Sequence, residues 1–189
     1  MKVLNTNLED CVLFQPDIFH DSRGFFYETF RLNEFLTATG FSGAFVQENH
    51  SYSSKGVFRG LHFQQNNPQG KLVRVSRGTV LDVAVDLRPE SNTFGQSEVF
   101  EISDENCLQV WVPPGFAHGF LVLSDCADFQ YKCTQYYDPA DEMTIHWNDP
   151  DLDIPWPKGI EMTVSKKDSN AESFQDYCKT LFSSDRDSE

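Results

Sequence analysis

The sequence predicts a mainly β protein, either a sandwich or a barrel of short strands with a few short helices. Three observations favour this fold class. Short runs rich in β-branched and aromatic residues recur along the chain. Turn-forming groups separate these runs, among them residues 21–24 (DSRG) and 113–115 (PPG). The length of 189 residues suits one domain with a substantial core.

The predicted strands follow from these runs. In chain order they are Cys11–Phe14, Phe25–Phe30, Phe45–Gln47, Gly56–Gln64, Lys71–Ser76, Val80–Leu87, Glu98–Ile102, Gln109–Val112, Gly119–Leu123 and Phe129–Thr134. The sixth reads VLDVAVDL, with Val83, Val85 and Leu87 on one face. Asp82 and Asp86 lie on the other face, which is the pattern of a half-buried strand. We therefore expect both aspartates to be outer or turn-facing.

Two helices are predicted, at Leu32–Thr39 with Gly40 as its stop and at Ala171–Phe182. We expect one domain over residues 1–183 and a frayed polar tail at 184–189. No apolar run approaches the roughly 20 residues that cross a bilayer. The N-terminal residues lack the basic-then-apolar pattern of a signal peptide, so a cytoplasmic protein is expected.

The charge balance limits the classes of partner. The formal net charge is −14, which argues against nucleic acid or an anionic membrane as a partner because both require a basic face. An anionic ligand would need the few cations gathered in one place. The cysteines are scattered, odd in number and without a CxxC pair, so reduced thiols are expected rather than disulfides or a zinc site. They are Cys11, Cys107, Cys126, Cys133 and Cys178.

Residues 56–64, reading GVFRGLHFQ, have a spacing similar to the first metal-binding motif of cupin barrels. Gly56 is followed by five residues and His62, but Gln64 occupies the position of the second histidine. Lys71, with six residues between it and Gly78, stands where the motif has glutamate. An ammonium at that position would repel a divalent cation and suit an anion or a developing oxyanion. We therefore expect no metal and no cofactor.

The second cupin motif, Pro-x-Gly-x-x-His, is present at residues 113–118 and supplies His118. The placement of Arg59 relative to His62 stays open. Strict alternation would put the two side chains on opposite faces of the strand, unless Gly60 bulges it. On the strand alone, a core histidine and a surface arginine are the alternative.

Seven stretches carry a more specific resemblance. They are SRGFFYETF, FVQENHSYSSKGVFRGLHFQ, QGKLVRVSRG, VLDVAVDLR, VPPGFAHGFLVLSD, FQYKCTQYYDPADE and WNDPDLDIPWP, in that order. Together they resemble the dTDP-4-dehydrorhamnose 3,5-epimerase family from about Met1 to beyond Asp168. The resemblance implies a cofactor-free cupin enzyme, usually a homodimer with exchanged N-terminal segments. Its substrate would be a 4-keto-6-deoxyhexose on a nucleoside diphosphate, inverted at C3, C5 or both.

The resemblance also implies roles for individual residues. His62 would be the general base, oriented by Asp168, and Tyr131 the proton donor on the other face of the sugar. Lys71 would sit beside the ketone oxygen, with His118 close by. The predicted substrate contacts are Arg23, Glu28, Gln47, Glu48, Asn49, Arg59, His118, Tyr137, Glu142 and Lys167. Of these, Tyr137 would stack on the base of the nucleotide.

These residue types suit proton transfer next to a ketone. Imidazole titrates near neutral pH, so it serves as a base at working pH. An ammonium stabilises the enolate oxygen, and a phenol supplies a proton from the opposite side. The donor favours double inversion, but inversion at C3 only or at C5 only remains an alternative. Other classes left open are a 3,4-ketoisomerase, a non-catalytic sugar-binding cupin and a metal-dependent oxygenase.

Overall fold

Two antiparallel sheets form the body of the protein. The computed structural model describes residues 1–184. Its strands are β1 (Lys2–Asn5), β2 (Val12–Gln15), β3 (Phe19–Asp21), β4 (Gly24–Phe26), β5 (Gln47–Ser54), β6 (Phe58–Gln64), β7 (Lys71–Arg77), β8 (Thr79–Asp86), β9 (Ser97–Ser103), β10 (Gln109–Val112), β11 (Phe116–Val122), β12 (Cys126–Cys133) and β13 (Glu142–Thr144). Its helices are α1 (Leu32–Thr39), α2 (Lys166–Ser169) and α3 (Phe174–Ser184).

The first sheet has the strand order β1-β2-β10-β7-β12-β5, and the second has the order β13-β6-β11-β8-β9. Strands β3 and β4 form a separate hairpin. The mainly β, cupin-like prediction is confirmed, with one correction to the expected barrel. Strand pairing among residues 1–184 does not close the two sheets into a barrel, because their edge strands find no partner in the other sheet.

The main core lies between the two sheets. Phe120 on β11 and Phe129 on β12 stack with their ring centroids 4.1 Å apart. Val73, Val80 and Val110 pack in the same cluster and are fully buried. Each such side chain contributes on the order of 1.5–3 kcal/mol by leaving water. This apolar layer fixes the distance between the sheets and supports the polar residues beside it.

The helices flank the sheets. Helix α1 ends as predicted at Gly40, whose φ of +66° lets its N–H bond to Leu36 O at 2.9 Å. Helix α3 begins three residues later than predicted, at Phe174. The predicted polar tail lies almost entirely outside the described residues. Within residues 1–184, none of the helices has the length and apolar character that crossing a membrane requires.

Several sequence-based expectations were wrong. Only Phe25 and Phe26 of the predicted strand Phe25–Phe30 lie in a strand, β4, and β11 begins at Phe116 rather than Gly119. Asp82 is fully buried instead of outer, since β8 lies between β11 and β9 and His118 binds its carboxylate. Asp86 does bind the following turn through Arg88, but it too is fully buried.

Candidate active site

Two adjoining cavities open between the sheets. The first has a volume of about 480 Å³ and the second of about 410 Å³. His62, Lys71 and Tyr131 line both of them. These three side chains come from β6, β7 and β12 and therefore from both sheets. The predicted base, His62, and the predicted proton donor, Tyr131, therefore face the same hollow.

Gly60 brings Arg59 and His62 to the same cavity. The register of β6 with β11 shifts between the two residues, so β6 contains one extra residue there. Gly60 has a φ of +144°, and a Cβ on it would lie 2.6 Å from the Cα of Gly119. A side chain at this position has no room. The bulge that the sequence left open is present, and both Arg59 and His62 line the first cavity.

The imidazole of His62 is held by a buried carboxylate. Its Nε2 lies 2.8 Å from Oδ1 of Asp168, whose residue is 3% exposed. Asp168 sits in the short helix α2, where its N–H donates to Oγ of Ser165 at 3.1 Å. Burial raises the pKa of Asp168, but the hydrogen bond and charge of His62, together with hydrogen bonds from Ser165 and the backbone of Gly60, lower the pKa overall. Because an ionised carboxylate only accepts, Nε2 carries the hydrogen and Nδ1 keeps its lone pair.

A second carboxylate faces that free nitrogen. Oε1 of Glu142 lies 3.9 Å from Nδ1 of His62. The same carboxylate accepts a hydrogen bond from the Tyr137 hydroxyl at 2.9 Å and pairs with Lys167. Burial raises the pKa of Glu142, but Lys167, Tyr137 and the charge of His62 together lower it overall. The carboxylate of Glu142 therefore places a negative charge beside the nitrogen of His62 that keeps its lone pair.

Lys71 places a positive charge in the shared hollow. The residue is 8% exposed, and its Nζ lies 3.5 Å from the carbonyl oxygen of His62. Burial lowers its pKa, although the nearby groups of Cys133, Glu142 and Asp82 act in the opposite direction. Among the described residues, no carboxylate lies within 4.0 Å of this ammonium, so its charge is available to an anionic ligand.

Tyr131 stands on β12, next to Asn49 of β5 in register. Its side chain lines both cavities. Burial raises the pKa of its phenol, with a smaller lowering by Asn49. The phenol therefore keeps its proton at neutral pH and is able to donate it.

His118 and Asp82 form a second imidazole–carboxylate pair that the sequence analysis missed. His118 lines the first cavity, and its Nε2 lies 2.9 Å from Oδ2 of Asp82. Within residues 1–184, Oδ1 of Asp82 is buried without a hydrogen-bond partner. The available signal was a charged residue inside the valine-rich run VLDVAVDL.

Most of the predicted substrate contacts line one of the two cavities. Gln47, Asn49, Tyr137 and Glu142 line the second cavity, and Arg59, His118 and Lys167 line the first. Three residues lie outside both cavities within this chain. They are Arg23, Glu28 and Glu48. The Arg23 side chain is 87% exposed and pairs with Asp21. Glu28 pairs with Arg31, and Glu48 pairs with Lys132. Their assignments stay predictions.

The four positions of the cupin metal motif carry His62, Gln64, Lys71 and His118. Both imidazoles bind carboxylates, the amide of Gln64 bonds to backbone groups, and Lys71 supplies an amine where the motif has a carboxylate. This set does not fit a divalent ion, because the ammonium repels it. Among residues 1–184, no other cluster of three or more His, Cys, Asp or Glu side chains is arranged to bind a metal.

Comparison with known proteins places these features in a family. The family model described as dTDP-4-dehydrorhamnose 3,5-epimerase matches residues 5–176. The enzyme of that name from Escherichia coli K12 is 50% identical over 89% of this chain and 91% of its own. The dTDP-6-deoxy-D-glucose-3,5-epimerase of Legionella pneumophila Philadelphia 1, solved with dTDP-4-keto-L-rhamnose, is 49% identical with a TM-score of 0.89. That match covers 92% of this chain and 93% of the other.

A less similar solved structure belongs to an enzyme with a different regiochemistry. The 3'-monoepimerase ChmJ of Streptomyces bikiniensis, solved in complex with dTDP-quinovose, is 34% identical. Its TM-score is 0.88, and the match covers 93% of this chain and 89% of the other. Proteins with single and double inversion therefore share this architecture.

Proposed function

The chain belongs to the dTDP-4-dehydrorhamnose 3,5-epimerase family, and on that basis we propose that it inverts C3 and C5 of dTDP-4-dehydro-6-deoxyglucose to give dTDP-4-dehydro-L-rhamnose. The protein is an isomerase. The observation that carries the proposal is the hollow shared by His62, Lys71 and Tyr131. A base, a cation and a proton donor face one space of sufficient size for a sugar ring.

The first step removes a proton from a carbon next to the ketone. Nδ1 of His62 takes the proton, and the electron pair of the C–H bond forms a carbon–carbon double bond. The carbonyl oxygen receives the displaced pair and becomes an enolate. Lys71 stabilises this oxygen, and it does so best in the transition state, where the charge develops. Asp168 stabilises the imidazolium that forms.

The second step returns a proton to the opposite face. The enolate carbon takes the phenolic proton of Tyr131, the double bond reverts to the ketone, and the configuration is inverted. The raised pKa of Tyr131 keeps the donor protonated before this step. Solvent then returns a proton to the tyrosinate and removes one from His62, so atoms and charges balance over the cycle.

The nucleotide would extend across both cavities. Arg59 and Lys167 supply cations for the diphosphate, and Gln47 and Asn49 supply amides. Tyr137 offers a half-exposed ring for the base. Since the protein as a whole carries a net charge of −14, cations confined to this site give affinity for one anion without general affinity for polyanions.

The experiment is incubation with the 4-keto-6-deoxyglucose nucleotide in D₂O, followed by NMR of the sugar. We expect deuterium at C3 and at C5 together with the inverted product. Absence of exchange at both carbons would refute the function. Exchange and inversion at C3 alone would instead favour a mono-epimerase, the second candidate, which the similarity to ChmJ supports.

We also propose that the chain forms a homodimer in which the two copies exchange their N-terminal segments. The hairpin β3–β4 exposes Phe19, Phe25 and Phe26 by 59% or more. Exposed apolar side chains in one patch mark an interaction surface. Arg23 lies in the same hairpin, outside the two active-site cavities of its own chain. A second copy would cover the phenylalanines and receive Arg23 at its site.

A mixing experiment tests this exchange. The His62→Ala and Arg23→Ala variants are each expected to have low activity, and they are refolded together so that protomers mix. If Arg23 serves its partner, each mixed dimer has one intact site, and about a quarter of wild-type activity returns. If Arg23 serves its own chain, mixing restores nothing.

The five cysteines of the described residues are free thiols. This agrees with a reducing compartment, and we place the reaction in the cytoplasm.

A further inference from the structure

Gln64 occupies the position at which the cupin motif has its second histidine, but its side chain does not face an ion. The residue is 4% exposed. Its Nε2 donates to the carbonyl oxygens of Asn67 at 2.8 Å and Tyr136 at 3.3 Å. Its Oε1 accepts the N–H of Asp138 at 2.9 Å. Both amide hydrogens and the amide oxygen are therefore engaged by backbone groups.

Two of these three bonds bracket Tyr137. Gln64 binds the carbonyl of the residue before Tyr137 and the N–H of the residue after it. The N–H of Tyr137 itself donates to Oε1 of Gln47 at 2.9 Å. The backbone on both sides of this aromatic ring is thus fixed to strands β5 and β6, although the ring lies on a loop outside any strand.

The third bond connects Gln64 to a loop that is itself well anchored. Asn67, whose carbonyl accepts from Gln64, donates its N–H to Asp141 at 2.8 Å. The carboxylate of Asp141 also accepts the N–H and the side-chain amide of Asn66. A low pKa of Asp141, caused first by the backbone N–H of Asn66, keeps this carboxylate ionised. Gln64 therefore links two loops at the rim of the second cavity.

We propose that Gln64 is a positioning residue for substrate binding: it holds Tyr137 in the orientation in which the ring packs on the base of the nucleotide. This rests on the proposed function, because that function supplies the nucleotide. In metal-binding cupins the side chain at this position is a metal ligand. Here the side chain of Gln64 instead forms hydrogen bonds to the backbone of the loops beside the second cavity. Immobilising the ring before binding removes an ordering cost from the binding step.

The substitutions Gln64→Met and Gln64→Glu test the proposal. Methionine keeps the length of the side chain and removes all three hydrogen bonds. Glutamate keeps an acceptor for Asp138 and loses both donors. We measure the Kd of dTDP by titration calorimetry, together with kcat and KM. The expected result is a rise in Kd and KM of roughly 5- to 100-fold, the range for one lost base–aromatic contact, with kcat within about threefold.

Asn106→Asp is the matched control. The Asn106 amide also donates to a backbone carbonyl, that of Glu101, and accepts two backbone N–H groups, those of Ser103 and Leu108. It lies in the turn before β10, and the change to Asp adds the same charge as Gln64→Glu. It should leave the Kd of dTDP unchanged.

A double-substitution cycle separates positioning from a purely structural role. If Gln64 acts through Tyr137, the pair Gln64→Met and Tyr137→Ala binds dTDP no more weakly than Tyr137→Ala alone. Additive losses would overturn the proposal, as would an unchanged Kd in both Gln64 variants. If neither Gln64 variant folds while Asn106→Asp does, Gln64 is structural and the proposal is wrong. Failure of the wild-type protein to bind dTDP would instead contradict the proposed function.

Discussion

Replacing Asp168 with asparagine removes one negative charge next to the proposed base and changes little else in shape. The carboxylate oxygen lies 2.8 Å from Nε2 of His62, and the side chain is almost completely buried. When His62 takes the substrate proton, the imidazolium and the carboxylate form an ion pair. Asparagine offers only a dipole to the same nitrogen, so the transition state loses stabilisation that the ground state does not need.

The size of the loss follows from the geometry. Charge centres about 4 Å apart attract by ~4 kcal/mol at an effective dielectric constant of about 20. The His62 side chain is 29% exposed, and water reduces this attraction, so we take ~2–3 kcal/mol. At about 1.36 kcal/mol per tenfold change, kcat should fall roughly 30- to 150-fold. The KM should change less, since Asp168 does not touch the nucleotide side.

The assay is deuterium incorporation at C3 and C5 in D₂O, measured at saturating substrate. Both rates should fall by the same factor, because one base serves both carbons. Asp149→Asn is the matched control: Asp149 is a buried carboxylate that accepts the N–H groups of Asp151 and Phe174, away from both cavities. It should lower stability and leave kcat near wild type. Near-normal exchange in Asp168→Asn would refute the role of the carboxylate.

Four further outcomes are expected. Tyr131→Phe should keep deuterium exchange at a carbon reached by His62 and lose inversion, by roughly 10²- to 10⁴-fold, because the second-face donor is absent; unchanged product formation in a chiral analysis would contradict this. Lys71→Met should lower kcat by roughly 10²- to 10³-fold through loss of enolate stabilisation, and a smaller loss than tenfold would remove Lys71 from that role. Burial lowers the pKa of Lys71, so its ammonium should lose its proton at a lower pH than an ordinary lysine does. The wild-type rate should therefore fall on the alkaline side of the pH profile, below the usual titration range of lysine. This alkaline decrease should be missing in Lys71→Met. Treatment with a chelator should leave the rate unchanged, and stoichiometric iron or nickel in the purified protein would overturn the metal-free mechanism.

The sequence predicted the strands that carry runs of apolar residues and missed most of β5, which lines the second cavity. Strand β7, with its run of buried residues, was predicted nearly to its ends. Strand β5 reads QENHSYSS and carries no hydrophobic alternation, because its inward residues face the ligand cavity and not a core. A period of two in hydrophobicity therefore could not reveal it.

The candidate site was predicted as a set of residue types rather than as a geometry. His62 and Lys71 stood out at cupin-motif positions and Tyr131 through the family resemblance, and the three side chains do lie together. The pairing of His118 with Asp82 was missed, because the cross-strand neighbour of an aspartate is decided by sheet order, which a single sequence does not contain. The predicted contacts Arg23 and Glu28 lie outside both cavities of the described chain, and their roles stay predictions.

The close approach of Gly60 and Gly119 restricts how this protein can be redesigned. A Cβ on Gly119 would lie 2.8 Å from the carbonyl oxygen of Arg59, and one on Gly60 would meet Gly119 itself. Neither position accepts even a methyl group without separating the strands that carry the two imidazoles. Substitutions intended to change which sugar is accepted should therefore be made at other residues that line the first cavity, such as Ser51, Val57 or Thr163. Gly60 and Gly119 should be left unchanged.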